Sequence, residues 1–144
     1  QLFNPEVTDE QILATFNEIG ASNLAVLPSF LDTELSSRSQ LPQQVKALIN
    51  LVRCILKPAE FYVFDGSFIH LSNDVVYSVL KKLRAENKAC IFTTVNPLIF
   101  EAADEVFFAN SDHSYVKGTH KVLLNNNQAY ATFFMQNEPT KEGL

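Results

Sequence analysis

Glycine is scarce in this sequence, and a phosphate-binding loop is missing. The 144 residues include four glycines. None of them belongs to a Gly-rich loop followed by lysine and serine or threonine, the pattern whose backbone N–H groups cradle nucleotide phosphates. The sequence therefore excludes a complete nucleotide site of that kind within these residues.

Basic runs and long apolar runs are also missing. The net charge is −5 and the lysines and arginines do not cluster, so we expect no nucleic-acid partner. No apolar stretch approaches the ~18 residues that cross a bilayer, and the first residues do not resemble a signal peptide. With 47% apolar and 19% charged residues, the composition is typical of one globular domain that can bury a core.

Cysteine and histidine are too few and too scattered to indicate a metal site. Cys54 and Cys90 lie inside apolar patterns, which favours small buried side chains over a disulfide or a metal pair. His70, His113 and His120 lack the spacing of zinc ligands. We therefore expect no structural metal, and an intracellular setting.

Helical periodicity dominates the sequence before residue 58. Thr8 with Gln11 three positions later is a helix-start signal, and an apolar stripe follows until Gly20. A second stripe runs over residues 42–56, with the proline suited to the first turn. Residues 21–40 have too little periodicity to assign. Such stripes usually face the core, and an exposed part of one could dock a partner.

Strands and helices alternate after residue 60. The run "FYVFD" (61–65) is apolar without alternation, which predicts a strand covered on both faces. The remaining predicted elements are a helix from Ser72 or Asn73, a strand over 88–95, a short helix from Pro97, a hairpin around 110–113, one or two helices from 118, and a frayed tail. This order predicts a parallel or mixed sheet with helices packed on it.

The order of motifs resembles the ATP-binding domain of exporter-type ABC transporters without its first third. The matching stretches are "LPSFLDTELSSRSQL", "INLVRCILKPAEFYVFD", "ACIFTTVNPLIFEAADEVFFANSDHSYVKGTHKVLL" and "NQAYATFF". The resemblance implies an α/β chain with a partial P-loop NTPase (ABC ATPase) fold. Its parts would be an all-helical, signature-bearing subdomain over 1–58, the C-terminal part of the α/β ATPase core over 59–137, and a flexible tail over 138–144.

The signature loop of the family is altered in this chain. In the family, the sequence Leu-Ser-Gly-Gly-Gln lies at a helix N-terminus and contacts the γ-phosphate of ATP bound by the partner subunit. Its positions fall on Leu41, Pro42, Gln43, Gln44 and Val45. Proline removes one N–H donor, and the glutamines crowd the backbone approach that glycine permits.

The catalytic positions of the family are altered as well. Asp65 resembles the acid that holds Mg²⁺ through water, although capping the next turn is the expected role in this chain alone. Gly66 stands where the family has the glutamate that polarises the attacking water. Val95 falls on the switch histidine, or Asn96 does after a slip of one residue. We therefore expect no catalytic residue, because Gly66 cannot orient or deprotonate water and neither Val95 nor Asn96 supplies a cation or a proton.

The D-loop of the family falls on four residues that do not match it. These are Ile69, His70, Leu71 and Ser72, with the serine in place of the family's acid. The resemblance implies that His70 is a surface or interface histidine facing a partner subunit rather than a substitute base. His120 is interpreted as a helix-start residue rather than a ligand.

Two functions of different class remain. The first is a degenerate, non-hydrolytic nucleotide-binding domain that supports a second cassette, in a homo- or heterodimer, and couples to a membrane domain at the cytoplasmic face of a membrane. The alternative is a free-standing protein-interaction module that binds no nucleotide; an active ATPase is not expected. The resemblance implies that this chain is a fragment, that Mg-ATP binds in the full-length parent if it binds at all, and that none is tightly bound here.

Overall fold

The computed structural model describes residues 6–21, 30–32 and 41–137. The chain divides into two compact units, Gln1–Thr93 and Thr94–Leu144. This division differs from the boundary expected at residue 58. The domain limits and the tail over 138–144 stay predictions, and the tail lies outside the described residues.

The first helix, α1, spans Asp9–Glu18 and begins with the predicted capping box. The backbone N–H of Gln11 donates to Oγ1 of Thr8 at 3.3 Å, and the N–H of Thr8 donates to Oε1 of Gln11 at 2.9 Å. These two bonds satisfy N–H groups that a helix start otherwise leaves unpaired. The chain turns beyond α1 at Gly20, whose φ is +72°.

The second helix, α2, spans Gln43–Ile55, with Pro42 as its N-cap. A 3₁₀ turn, Phe30–Asp32, precedes it. The predicted apolar face is confirmed at Val45, Leu48, Val52 and Ile55, which are buried. Leu51 is buried as well, whereas Ile49, also predicted on that face, is half-buried. The described elements before residue 58 are thus all helical.

A short parallel sheet follows. Strands β1 (Phe61–Phe64) and β2 (Ala89–Phe92) pair in parallel, with Phe61 opposite Ala89 and Phe64 opposite Phe92. The connection contains helix α3, Asn73–Ala85, as a parallel pair requires a crossover. At the amino ends of the strands, an ion pair of 2.5 Å joins Lys88 Nζ to a carboxylate oxygen of Glu60.

The faces of this sheet differ in exposure. Tyr62 and Phe64 are buried, whereas Phe61, Val63 and Ile91 are 51%, 62% and 58% exposed. The prediction that β1 is covered on both faces is therefore wrong. The strand is apolar on both sides, but the described helices supply enough apolar surface to cover one of them.

Lys82 on α3 links this helix to α1. Its Nζ lies 2.8 Å from a carboxylate oxygen of Glu18 and 2.6 Å from one of Glu86. Partial burial disfavours the charged ammonium, but the two carboxylates outweigh that effect, so the pKa of Lys82 is raised. The half-buried lysine is thereby held between carboxylates of both helices.

The second unit contains a hairpin and two helices, as predicted. After a 3₁₀ helix, Pro97–Ala102, strands β3 (Val106–Ala109) and β4 (Tyr115–Gly118) pair antiparallel. Helices α4 (His120–Asn126) and α5 (Gln128–Asn137) follow. The buried side chains at the centre of this unit are Phe100, Leu123 and Tyr130.

A buried hydrogen bond joins α4 to α5. Nδ1 of His120 and the hydroxyl of Tyr130 lie 2.7 Å apart, and the tyrosine side chain is fully buried. Burial raises the pKa of Tyr130 to about 12, so the phenol keeps its proton at neutral pH. His120 is therefore a structural residue at the start of α4.

We expect the substitution Tyr130→Phe to lower the free energy of unfolding by about 1–3 kcal/mol, because Nδ1 of the buried His120 loses its partner. Urea unfolding followed by circular dichroism measures the change. The matched control is Tyr115→Phe, since the Tyr115 side chain is 70% exposed, and a change within about 0.5 kcal/mol is expected there. Equal losses in the two variants would contradict the role assigned to the bond.

Both cysteines are free, as predicted, and each is half-buried rather than completely removed from solvent. Burial still raises the pKa of the Cys54 thiol, a positive charge on Lys57 acting against it. In the part of the chain that the structure describes, no helix combines the length and the apolarity needed to cross a membrane.

Candidate functional site

A polar cluster lies at the carboxyl ends of β1 and β2. The Thr93 hydroxyl donates to Oδ1 of Asp65 at 2.8 Å, and its oxygen accepts the backbone N–H of Gly66, also at 2.8 Å. One hydroxyl thus makes two hydrogen bonds at the point where β1 ends. We treat these three residues as the candidate site and call them the strand-end cluster.

The strand register explains why these residues meet. Phe64 and Phe92 are the last paired residues of the two strands, so Asp65 and Thr93 come next to each other at the same edge of the sheet. The backbone N–H of Thr93 also donates to the carbonyl of Phe64 at 3.0 Å. Open α/β sheets bind ligands at this edge.

Aromatic packing supports the loop that leaves β1. The rings of Phe64 and Phe68 lie 5.0 Å apart, and those of Phe68 and Phe92 lie 5.6 Å apart. Phe64 and Phe68 are buried. The loop is thus held by buried aromatic rings, whereas Asp65 and Thr93 are exposed to solvent.

Gly66 adopts a backbone conformation that favours glycine. Its φ is +62°, in the left-handed region, which costs a non-glycine residue roughly 1–2 kcal/mol. A Cβ at this position would meet Cδ1 of Ile69 at 3.6 Å, an ordinary contact. Backbone conformation, and not lack of space, therefore restricts what can replace Gly66.

The Asp65 side chain does not cap the turn that follows it. Its hydrogen bond goes to Thr93, which is 28 positions away, so the turn-capping interpretation is wrong. Sequence reasoning also missed Thr93 itself. The signal was available: Thr93 is the first polar residue after the apolar run of β2, just as Asp65 is after β1.

The D-loop positions form the connection to α3. Ile69 is 71% exposed, His70 is exposed and Leu71 is half-buried. Ser72 is the N-cap of α3, as predicted, but its side chain makes no capping hydrogen bond. His70 is therefore accessible on the surface of this chain, and its role toward a partner stays a prediction.

The signature positions lie at the start of α2. Pro42 caps the helix without a side-chain hydrogen bond. Gln43 and Gln44 are exposed in the first turn, Leu41 is half-buried and Val45 is buried. Across the described ranges, these positions share no hydrogen bond with the strand-end cluster.

The two candidates for the switch position belong to the second unit. Val95 is 71% exposed. The backbone N–H of Asn96 donates to Oγ1 of Thr94 at 3.0 Å. Val95 has an aliphatic side chain and Asn96 has an amide, and neither group can transfer a proton at neutral pH.

The strand-end cluster offers one carboxylate and one hydroxyl. Among residues 6–21, 30–32 and 41–137, no three acidic, histidine or cysteine side chains are grouped as a metal site. Mg²⁺ at nucleotide sites needs few protein ligands, because waters and the phosphates complete its shell. Asp65 can therefore serve as one such ligand.

Comparisons with known proteins agree with the motif resemblance. No family model matches this chain. It is 29% identical over 138 residues, 93% of its length, to the pediocin PA-1 transport/processing ATP-binding protein PedD of Pediococcus acidilactici. It is 24% identical over 141 residues, 95% of its length, to an uncharacterized ABC transporter ATP-binding protein of Haemophilus influenzae. The chain spans 19% and 25% of the length of these relatives.

The fold is similar to part of a bacterial Atm1-family ABC exporter whose structure was solved with ATP bound. The TM-score is 0.77 at 19% sequence identity, over 92% of this chain and 24% of the exporter. The mixed α/β architecture with short parallel and antiparallel sheets thus matches an ABC exporter fold. Together these similarities confirm the resemblance to the ATP-binding domain of ABC exporters.

Proposed function

We propose that this chain, similar as it is to the ATP-binding domain of ABC exporters, is part of a degenerate nucleotide-binding domain that does not hydrolyse ATP. Its finer architecture would be that of a partial P-loop NTPase fold with a helical N-terminal subdomain. Its role is to support a partner cassette and to transmit the partner's closure to a membrane domain.

The proposal depends above all on residue 66. A glutamate at this place is what the family resemblance assigns to activation of water, and the chain has a glycine with φ of +62° instead. A glycine carries no group that can orient or deprotonate water. The residues aligned with the switch histidine and the signature loop, Val95 and Pro42, support the same conclusion because neither can contact a phosphate as the family residues do.

Asp65 is the residue that would hold a magnesium ion in the intact protein. Its Oδ1 accepts the hydrogen bond from Thr93, and a carboxylate has further acceptor positions for a bound water. When bound, Mg-ATP would supply the phosphates that complete the ion's shell. Asp65 contributes charge and position, and Gly66 contributes no proton acceptor for the hydrolytic water.

The same proposal names the partners and the location. A second ABC cassette would face the signature positions 41–45 and the D-loop positions 69–72, all of which lie in short connections or at helix starts. A membrane domain would dock on the helical part before residue 58. The chain would then lie at the cytoplasmic face of a membrane, attached through the transporter.

Calorimetric titration with Mg-ATP tests the proposal against a protein-interaction module that binds no nucleotide. We expect saturable binding to the intact protein that contains this chain, and no heat of binding to residues 1–144 alone, since they lack a phosphate loop. The variant Asp65→Asn is expected to weaken binding of Mg-ATP to the intact protein, because it removes the charge that attracts the ion.

The matched control is Asp74→Asn, which removes one exposed charge from the first turn of α3 and should leave the affinity unchanged. Complete silence of the intact protein in this titration would contradict nucleotide binding and favour the interaction module. Equal weakening by the two variants would show that general charge, and not Asp65, is responsible.

A further inference from the structure

We infer that Thr93 is a positioning residue that holds residue 66 in the left-handed backbone conformation. Two residues then account for the loss of the hydrolytic base. Gly66 has no side chain that could act as the base, and Thr93 fixes a backbone conformation that disfavours any other residue at position 66. This inference deepens the proposed function, on which it rests for the meaning of position 66. Neither the sequence motifs nor the similarities to known proteins assign a role to Thr93.

The Thr93 hydroxyl joins the carboxylate of Asp65 to the backbone amide of Gly66. Thr93 Oγ1 donates its proton to Asp65 Oδ1 and accepts the N–H of Gly66, each at 2.8 Å. A hydroxyl has one proton and two acceptor sites, so its donor is committed to the carboxylate. The carboxylate thereby orients the hydroxyl with a lone pair toward the Gly66 amide, and the three groups form one directed chain.

The backbone amide of Gly66 is held by its hydrogen bond to Thr93. The N–H of Gly66 lies in the plane of the peptide bond that joins it to Asp65, so its bond to Thr93 fixes that plane. The next peptide plane is held by the bond from the Ile69 N–H to the Gly66 carbonyl at 3.3 Å. With both planes held, the rotation about the N–Cα bond that sets φ at residue 66 is restricted. Its donor points across the sheet to the end of β2 and not to its own turn. The backbone of Thr93 is itself held by the hydrogen bond from its N–H to the carbonyl of Phe64, which limits the movement of the hydroxyl.

Available space and backbone conformation have different effects on a side chain at residue 66. A Cβ at residue 66 would have room, since its nearest neighbour is Cδ1 of Ile69 at 3.6 Å. The penalty for a side chain therefore comes from φ alone. If the Thr93 hydroxyl maintains that φ, removing the hydroxyl should reduce the penalty for any residue that replaces Gly66.

A double-mutant cycle on the 144-residue chain tests this coupling. With Thr93 present, we expect Gly66→Ala to shift the folding equilibrium toward the unfolded state about fivefold. The strain of a left-handed alanine is about 1–2 kcal/mol, and the alanine can escape it only by giving up a hydrogen bond of about 1 kcal/mol. In the Thr93→Val background, which removes the hydroxyl at nearly constant shape, we expect a change of no more than about twofold, because alanine also restricts the unfolded chain.

Two further measurements separate positioning from general stability. Thr93→Ser keeps the hydroxyl, so the full penalty of Gly66→Ala should persist in that background. Hydrogen exchange of the Gly66 amide should accelerate about fivefold in Thr93→Val and remain slow in Thr93→Ser, because a lost hydrogen bond of about 1 kcal/mol corresponds to roughly that factor. Thr132→Val, a substitution on α5 in the second unit, is the control and should change neither quantity.

The inference is wrong if Gly66→Ala has the same cost in the parent, Thr93→Ser and Thr93→Val backgrounds, or if the Gly66 amide exchanges equally fast in Thr93→Val and Thr93→Ser. Thr93 is exposed, and a Cβ at residue 66 would meet only an ordinary contact, so these variants should retain the fold. No nucleotide enters the experiment. A negative outcome here therefore leaves the calorimetric test of nucleotide binding untouched, and the reverse also holds.

Discussion

ATP turnover at the site that contains Asp65 is expected to be about 10²-fold to 10⁴-fold slower than at a site with a glutamate at position 66, since that is the usual contribution of a positioned general base. Phosphate release by the intact protein measures this rate. The substitution Gly66→Glu alone should restore little of it, because φ of +62° keeps a glutamate strained. The pair Gly66→Glu with Thr93→Val should restore more than either change alone.

The background for this measurement is the variant Asp65→Ala of the intact protein. We expect its rate to be close to that of the parent, because a site without the glutamate has little turnover left to lose. An intact protein that hydrolysed ATP at an ordinary enzymatic rate, and lost that activity on Asp65→Ala, would contradict the interpretation of the site as degenerate.

The substitution Phe64→Ala should lower the free energy of unfolding of the first unit by about 3–5 kcal/mol, the usual cost of removing a buried phenyl ring. The side chain is 2% exposed. It lies between Tyr62 and Phe68, with ring centroids 6.1 Å and 5.0 Å away. Its removal leaves a cavity directly beneath the strand-end cluster. Urea unfolding followed by circular dichroism measures the loss.

Phe61→Ala is the matched control for this prediction. It changes the same residue type in the same strand, but on the opposite face, where the side chain is 51% exposed. A loss of about 1 kcal/mol or less is expected, the range of strand propensities. If Phe64→Ala leaves too little folded protein to measure, Phe64→Leu should show a smaller loss, and equal losses for positions 61 and 64 would refute the assignment of the buried face.

Local signals in the sequence were sufficient for most of the secondary structure. The capping box of Thr8 and Gln11 involves residues three positions apart. The turn between β3 and β4 is also local, because it spans residues 110–114. Helix α2 follows from its apolar spacing. In each case the residues that decide the structure are neighbours along the chain, so their pattern can be recognised without knowledge of the fold.

The features that the sequence did not predict depend on distant residues. The bond between Asp65 and Thr93 requires the register of two strands separated by a helix, and nothing in either short segment specifies that register. The wrong prediction for β1 has a similar origin, since apolar residues on both sides of a strand do not reveal which side the rest of the chain covers. The conformation of Gly66 likewise becomes visible only when its cross-sheet partner is known.

Copies of this chain repel one another in solution through their net charge of −5. That repulsion vanishes near pH 5.1, the isoelectric point of the sequence, and added salt screens it at any pH. The exposed apolar patch on the parallel sheet, formed by Phe61, Val63 and Ile91, can then drive association between copies. Mildly acidic, salty buffers should therefore be the conditions in which this polypeptide precipitates first.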